Sequence, residues 1–237
     1  NNLISYIGED NQETLEAIPD YIKEITTFII GQGVGLFHLD DDGDGLYDSW
    51  SGNLNSLKRG KGYWLNLNFL PDDSLYHFAW GNDNIQMNLA SENNFIYENE
   101  IIDIPEFNFN QSINQAFYLI KKLYFNEHIS ENGIILAKYK DQIIGSRKWN
   151  GKYTDIPVMG KDNTEATALY IESNEIPLFE YYDLESGLIH ELESKSQING
   201  WNNNSFEIIE SLFFKNSKIE NYISTFEFEA AFPNPFN

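Results

Sequence analysis

The chain has 237 residues and a formal net charge of −22, with 15 basic residues against 37 acidic ones. This excess of carboxylates argues against binding to nucleic acid or to an anionic membrane surface, because both require clustered lysine and arginine. Hydrophobic residues make up 41% of the chain and cysteine is absent, which indicates a folded globular protein without a disulfide framework.

No apolar run approaches the roughly 18 to 20 residues of a membrane span, so membrane insertion is not expected. The first ten residues lack the basic and apolar segments of a signal peptide. The chain begins directly in a predicted strand and ends abruptly. We therefore expect it to be a fragment of a longer protein.

Residues 1–73 predict a small α+β module. Three segments have the composition or the alternation of strands, namely Asn2–Ile7, Ile25–Ile30 and Tyr63–Phe69. The apolar spacing over Thr14–Ile22 predicts a short amphipathic helix with Thr14 as its cap, and Pro19 limits its length. The turn residues at 71–73 predict the end of this module.

Residues 74–229 predict a β-sandwich-like module, so the fold class is mainly β. Turn residues separate short β-rich runs at intervals of roughly 8 to 12 residues, as in sandwiches. The runs are Gln115–Phe125, Gly133–Tyr139, Gln142–Trp149, Ala166–Ile171, Pro177–Tyr182, Leu188–Leu192 and Phe206–Phe214.

One short acidic loop has the spacing of a calcium site. Counted from Asp40, carboxylates occupy positions one, three, five and nine, and a glycine occupies position six. The predicted ligands are the side chains of Asp40, Asp42, Asp44 and Asp48 and the carbonyl oxygen of Leu46. Such a loop can wrap oxygen atoms around one Ca²⁺, which takes six to eight oxygen ligands. A calcium cofactor with a structural role is therefore expected.

Two features distinguish this loop from an EF-hand, because position twelve is Ser51 and no helix pattern flanks the loop. The loop resembles the calcium loops of thrombospondin type 3 repeats and dockerins. The alternative interpretation is a solvated acidic turn in which Asp-Gly pairs serve only turn formation.

The sequence does not support the common catalytic and cofactor-binding motifs. The sequence GQGVG at 31–35 follows a strand, but an acidic loop follows it where a dinucleotide site needs a helix N-terminus. A tight connection between strands explains these glycines better. The four histidines have no zinc-site spacing, and no G-x-S-x-G elbow is present. Paired carboxylates are too abundant in this chain to indicate glycoside hydrolysis. No enzyme activity is predicted.

Exposed aromatic residues could form a platform for sugars. The candidates are Trp50, Tyr63, Trp64, Trp80, Trp149 and Trp201. Tyr63 and Trp64 are adjacent on a predicted strand and must face opposite sides, so one of them is expected in the core. Trp149 and Trp201 lie beside turns, where they more often close the end of a sandwich.

Three segments together resemble modules of large secreted proteins from Bacteroidetes-like marine bacteria. Trp50–Leu67 is similar to the W-x-G-x-L…G-x-G-Y-W pattern of one such module, with the acidic loop as an insertion before the tryptophan. Gln111–Asp183 resembles a second module with the elements Q-A-F-Y, G-S-R-x-W, D-I-P-V-M-G and P-x-F-x-x-Y-D. Residues 230–237 resemble the Y-P-N-P-F-N start of a type IX secretion sorting domain, with Phe232 in place of tyrosine.

The resemblance implies export and a position outside the cell or on its surface, and it supplies no catalytic residue. The favoured hypothesis is a non-catalytic structural or adhesion module that calcium stabilises. Its expected partners are other modules of the same chain or neighbouring copies, with surface polysaccharide as a further candidate. The alternative is a carbohydrate-binding accessory region of a secreted hydrolase.

Overall fold

The computed structural model describes residues 2–68, 80, 104–125 and 128–215. The prediction of a mainly β chain is confirmed, and the α-helices of the described residues are two short ones near the N-terminus. Within these ranges, no helix has the length and the apolar character that crossing a membrane requires. The predicted junction at 71–73 and the predicted sorting segment at 230–237 lie outside the described residues.

Five strands of the first 68 residues form one antiparallel sheet, the N-terminal sheet, in the order β1-β7-β3-β4-β5. The elements are β1 (Asn2–Ser5), β2 (Gln12–Glu13), α1 (Thr14–Ala17), α2 (Asp20–Lys23), β3 (Thr26–Gly31), β4 (Val34–Leu39), β5 (Ser49–Gly52), β6 (Ser56–Leu57) and β7 (Gly62–Leu67). Strands β2 and β6 pair separately. The sequence did not predict β4 or β5.

The predicted helix over Thr14–Ile22 is interrupted in the middle. Ile18 has extended backbone angles (φ −104°, ψ 126°) and divides the helix into α1 and α2. The residue before a proline avoids the helical region, so Pro19 causes the break. Thr14 is the first helical residue and not the cap, and its hydroxyl donates to the carbonyl oxygen of Leu54 at 2.8 Å.

The glycines at 31–35 form a tight hairpin between β3 and β4, as expected. Gly31 pairs with Val34, which leaves Gln32 and Gly33 as the turn. Gly33 has a φ of +69°, in the left-handed region that favours glycine.

Two further sheets form a β-sandwich. The remaining elements are a 3₁₀ turn (Pro105–Phe107), β8 (Gln115–Ile120), β9 (Leu123–Tyr124), β10 (Gly133–Tyr139), β11 (Gln142–Lys148), β12 (Thr154–Met159), a second 3₁₀ turn (Glu165–Thr167), β13 (Leu178–Asp183), β14 (Ile189–Glu193), β15 (Phe206–Ile209) and β16 (Leu212–Phe214). The middle sheet has the order β12-β8-β15, and the outer sheet has the order β11-β10-β13-β14-β16-β9.

Two predicted strands are each divided between these sheets. The run Gln115–Phe125 becomes β8 in the middle sheet and β9 in the outer sheet, and Phe206–Phe214 becomes β15 and β16 in the same way. Strand β15 runs parallel to β8, and β16 runs parallel to β9. The segments β8–β9 and β15–β16 therefore pass from the middle sheet to the outer sheet next to each other, and they close one corner of the sandwich.

The prediction of a strand over Ala166–Ile171 is wrong. Its first residues belong to a 3₁₀ turn, and only Ile171 forms a bridge, to Gly160. A true strand that the sequence reading missed, β12, precedes it. This strand contains Asp155 and Pro157, which strands normally avoid.

Strand β8 is buried on both faces, and this makes the middle sheet the central layer of the protein. Tyr118 and Ile120 face the outer sheet within the core of the sandwich. Phe117 and Leu119 belong to a separate cluster with Phe28 and other residues of the N-terminal sheet. A strand buried on both sides reads as a continuous apolar run, as QAFYLI does.

The side chain of Gln115 joins the N-terminal and middle sheets. Its amide nitrogen donates to the carbonyl oxygen of Gly31 at 2.7 Å, and its amide oxygen accepts from the N–H of Gly33 at 2.9 Å. Gln115 is only 4% exposed. One buried amide thus satisfies two backbone groups of the β3–β4 hairpin, and the bond to Gly31 is buried while the bond to Gly33 is half-buried.

A second polar link lies beside it. Arg147 donates from Nη2 to the carbonyl oxygen of Gly33 at 3.1 Å and to Asp155 Oδ2 at 3.2 Å. Its Nε donates to the Asp155 carbonyl oxygen at 2.8 Å. Burial raises the pKa of Asp155 to about 6, although Arg147 acts in the opposite direction.

Replacement of Gln115 by alanine should lower the free energy of unfolding by about 1–3 kcal/mol, because buried backbone groups lose their partners. Urea unfolding measures this change. The matched control is Gln142→Ala, at an exposed position of β11, for which we expect a change within about 0.5 kcal/mol. Equal effects of the two substitutions would contradict the proposed link.

Asp155 should make the chain less stable as the pH rises. Its folded pKa of about 6 lies above the ordinary value of 3.8, so its stabilising contribution is complete below pH 3.8 and is lost as the pH passes about 6. The loss corresponds to about 3 kcal/mol. Urea unfolding of the wild type and Asp155→Asn across this range should give a difference that grows with pH. A difference that stays constant across this range would contradict the expectation.

Candidate metal centre

The acidic loop connects β4 to β5 at one end of the N-terminal sheet. The N–H of Asp48 donates to the carbonyl oxygen of Leu39 at 2.8 Å and closes the base of the loop. Gly43 and Gly45 have φ values of +83° and +91°, and glycine adopts these angles without steric strain. The two glycines allow the sharp turns by which this short loop reverses the direction of the chain.

The loop brings three of the four predicted carboxylates together. Oxygen atoms of Asp40, Asp42 and Asp48 all lie within 4.8 Å of one another, with Asp40 half-buried and the other two exposed. Among the described residues, this is the one group of three or more histidine, aspartate or glutamate side chains close enough to share a metal ion.

Backbone N–H groups hold two of these carboxylates in position. Asp40 accepts from the N–H of Gly43 at 2.6 Å and from the N–H of Gly45 at 2.8 Å, one on each oxygen. Asp48 accepts from the N–H of Asp41 at 3.1 Å. These hydrogen bonds fix the orientations of the two carboxylates. The N–H dipoles also partly compensate the negative charge of the carboxylates.

The remaining predicted ligands lie differently. Asp44 is not in the group of mutually close carboxylates, and its Oδ1 accepts from the N–H of Leu46 at 2.8 Å. Leu46 is 66% exposed. In this conformation Asp44 closes a local turn of the loop.

Asp41 serves as a tether, and the spacing argument did not identify it. Its carboxylate accepts from the hydroxyl of Ser49 at 2.7 Å and forms an ion pair with Lys152 Nζ at 3.1 Å. The hydrogen bonds from Ser49, Tyr153 and Lys152 lower the pKa of Asp41 to about 2. Asp41 thus connects the acidic loop to the turn that leads into β12.

That turn has an unusual backbone at Tyr153. This residue is 6% exposed and has a φ of +62°, which is rare for an aromatic residue. Burial, followed by the hydrogen bond to Asp41, raises the pKa of Tyr153 to about 12. The contact with the loop and burial against the N-terminal sheet hold Tyr153 in this conformation.

An aromatic stack supports the loop at the end of β4. The ring of His38 lies between Tyr47 and Trp50, with centroid distances of 4.8 and 4.2 Å. Burial lowers the pKa of His38, so the stack contains a neutral imidazole at neutral pH. This use of Trp50 is structural.

The other candidate aromatics divide between core and surface. Tyr63 is 4% exposed and Trp64 is half-buried, as predicted for neighbours on opposite faces. Trp80 and Trp201 are buried, and their ring nitrogens donate to the carbonyl oxygens of Ser5 and Val158. Trp149, directly after β11, is half-buried, as are Trp50 and Trp64.

Comparisons of the chain with protein-family models, with curated proteins and with solved structures find no match. The resemblance to secreted modules and to a sorting segment therefore stays a prediction.

Removal of the partners of Asp41 should raise its pKa from about 2 towards its ordinary value of 3.8. Tyr153→Phe deletes one hydrogen bond, and Lys152→Met deletes another together with a positive charge. Titration of the Asp41 carboxyl carbon by NMR measures the shift. Lys161→Met, which removes the partner of Glu172 instead, should leave the pKa of Asp41 unchanged. An unchanged value in both test variants would disprove the tether.

Proposed function

We propose that this chain is a non-catalytic structural or adhesion module of a secreted or cell-surface protein, and that bound calcium stabilises it. The observation that carries the proposal is the convergence of Asp40, Asp42 and Asp48 on one point of the acidic loop. Export and surface location rest on the resemblance of the sequence to secreted modules.

The donor set suits calcium among the common metal ions. Calcium prefers six to eight oxygen ligands at about 2.3–2.6 Å and tolerates irregular geometry, whereas zinc prefers nitrogen and sulfur. Three carboxylates can supply up to six oxygens when they bind in bidentate fashion, and water can complete the shell. Asp44 and the carbonyl oxygen of Leu46 remain part of the proposed set. Asp44 would have to exchange its hydrogen bond with the N–H of Leu46 for the metal.

Calcium would relieve the repulsion among the five aspartates between residues 40 and 48. The loop carries Asp41, which contacts Lys152 and Tyr153 of the sandwich. A fixed loop would therefore hold the N-terminal sheet against the middle sheet. This is a structural role that extracellular calcium concentrations can support.

Calcium should raise the melting temperature relative to EGTA. At a thousand times the dissociation constant, the gain in stability is on the order of 4 kcal/mol. Differential scanning calorimetry measures the shift. We expect Asp40→Asn and Asp48→Asn to abolish it, since each removes the charge of one proposed ligand.

Two controls make this experiment specific. The exposed Asp141→Asn should keep the full calcium response. Asp41→Asn, which lies in the loop but faces Lys152, should also keep calcium binding in isothermal titration calorimetry. A melting temperature that calcium does not change, or an equal response in Asp40→Asn, would overturn the proposal.

A further inference from the structure

A polar cleft opens where the N-terminal sheet meets the sandwich. It has a volume of about 590 Å³, within the roughly 300–1,000 Å³ of ligand pockets. The hairpin turn at Gly33 and the segment after β5 line one side. The 104–111 segment and strands β11 and β12 line the other side. The cleft therefore exists only because the N-terminal sheet packs against the sandwich.

Side-chain amides dominate the lining of this cleft. Gln32, Asn108, Gln111 and Asn150 reach it from exposed positions. Asn53 uses its carbonyl oxygen to accept from the N–H of Gly35 at 3.0 Å, so its NH₂ group remains to donate. Each amide offers one acceptor and two donors, a combination that matches adjacent hydroxyl groups.

A second cleft of about 550 Å³ adjoins the first and shares Lys152 with it. It has aromatic residues at its edge. Tyr124 is 43% exposed and Trp149 is half-buried. Tyr124 stacks on Phe213 with a centroid distance of 4.6 Å and an angle of 5°. Phe213 and Lys122 Nζ cover the two faces of the Tyr124 ring, so Trp149 is the aromatic surface that the second cleft adds to the amides of the first.

Positive charge is concentrated here, in contrast to the rest of the chain. Five of the 15 basic residues line the two clefts, namely Arg147, Lys148 and Lys152 in the first and Lys121 and Lys122 with Lys152 in the second. The acidic residues of the linings are Asp155, which is buried, and Glu210, which is exposed, and Asp41 of the acidic loop pairs with Lys152. In a chain of net charge −22, this local excess of cations favours an anionic ligand.

The ion pairs of these cations are weak enough for an anionic ligand to replace them. Lys121 pairs with Glu210 at 3.0 Å and Lys152 pairs with Asp41 at 3.1 Å, but both pairs are partly exposed. Exposed pairs contribute little and can exchange partners. Lys122 lies 4.2 Å from the centre of the Tyr124 ring, and it forms no ion pair within the described part of the chain.

We propose that the two adjoining clefts bind an acidic oligosaccharide. Its carboxylates would pair with Lys122 and Lys152. Its hydroxyl groups would exchange hydrogen bonds with the amides, and one sugar face would pack on Trp149. This site contacts the acidic loop through the ion pair of Lys152 with Asp41, and it does not need calcium.

The test is isothermal titration calorimetry at low ionic strength with EGTA present. The probe is a galacturonic acid hexasaccharide, and its methyl-esterified form serves as a ligand of the same backbone without charge. We expect the acid form to bind at least roughly tenfold more tightly, which is the effect of one charged hydrogen bond. Added salt should weaken its binding.

Lys122→Gln should reduce the affinity for the acid form by roughly tenfold. Lys122 is exposed, so the variant should fold normally, and circular dichroism checks this. The matched control is Lys161→Gln, an exposed lysine outside both clefts, which should keep full affinity. Equal binding of the methyl ester, an unchanged affinity in Lys122→Gln or no binding by the wild type would overturn the proposal. Binding only in the presence of calcium would also overturn it, because it would point to the acidic loop.

Discussion

The architecture depends on the burial of β8 on both faces. Phe117 and Leu119 complete the core shared with the N-terminal sheet, while Tyr118 completes the core of the sandwich. A buried aromatic or leucine side chain stabilises the folded state by about 1.5–3 kcal/mol. Burial alone does not fix how two layers align, because it is not directional. The hydrogen bonds of Gln115 to the β3–β4 hairpin are directional, and they fix how the N-terminal sheet aligns with the middle sheet.

The acidic loop adds a second kind of constraint, which is electrostatic. Its carboxylates fall into two groups with opposite orientations. Asp40, Asp42 and Asp48 face one another, whereas Asp41 faces Lys152. Asp41 lies between Asp40 and Asp42 in the chain, and its side chain makes its contacts with Ser49 and Lys152 instead. The loop can therefore present oxygen atoms on one side and contact the sandwich with the other.

Some local patterns in the sequence predicted local features that the structure contains. The alternation in β7 and the glycines of the β3–β4 hairpin depend on neighbouring residues. The spacing of the loop aspartates brings three of the four predicted carboxylates together, and calcium binding stays a prediction. Features that depend on distant partners were missed. The contact of Asp41 with Lys152 spans 111 positions, and the sheet change after Ile120 leaves no periodic signal. The sequence did not predict β12 because Asp155 and Pro157 have low strand propensity. Tertiary packing overrides that propensity here.

The double role of β8 has an evolutionary consequence. Shuffling of independent domains lets genes exchange segments freely, provided that each segment folds by itself. Here an exchange of the first 68 residues would leave Phe117 and Leu119 facing water and the amide of Gln115 without its hairpin. Recombination within this gene is therefore tolerated only if both sides of the shared layer are inherited together.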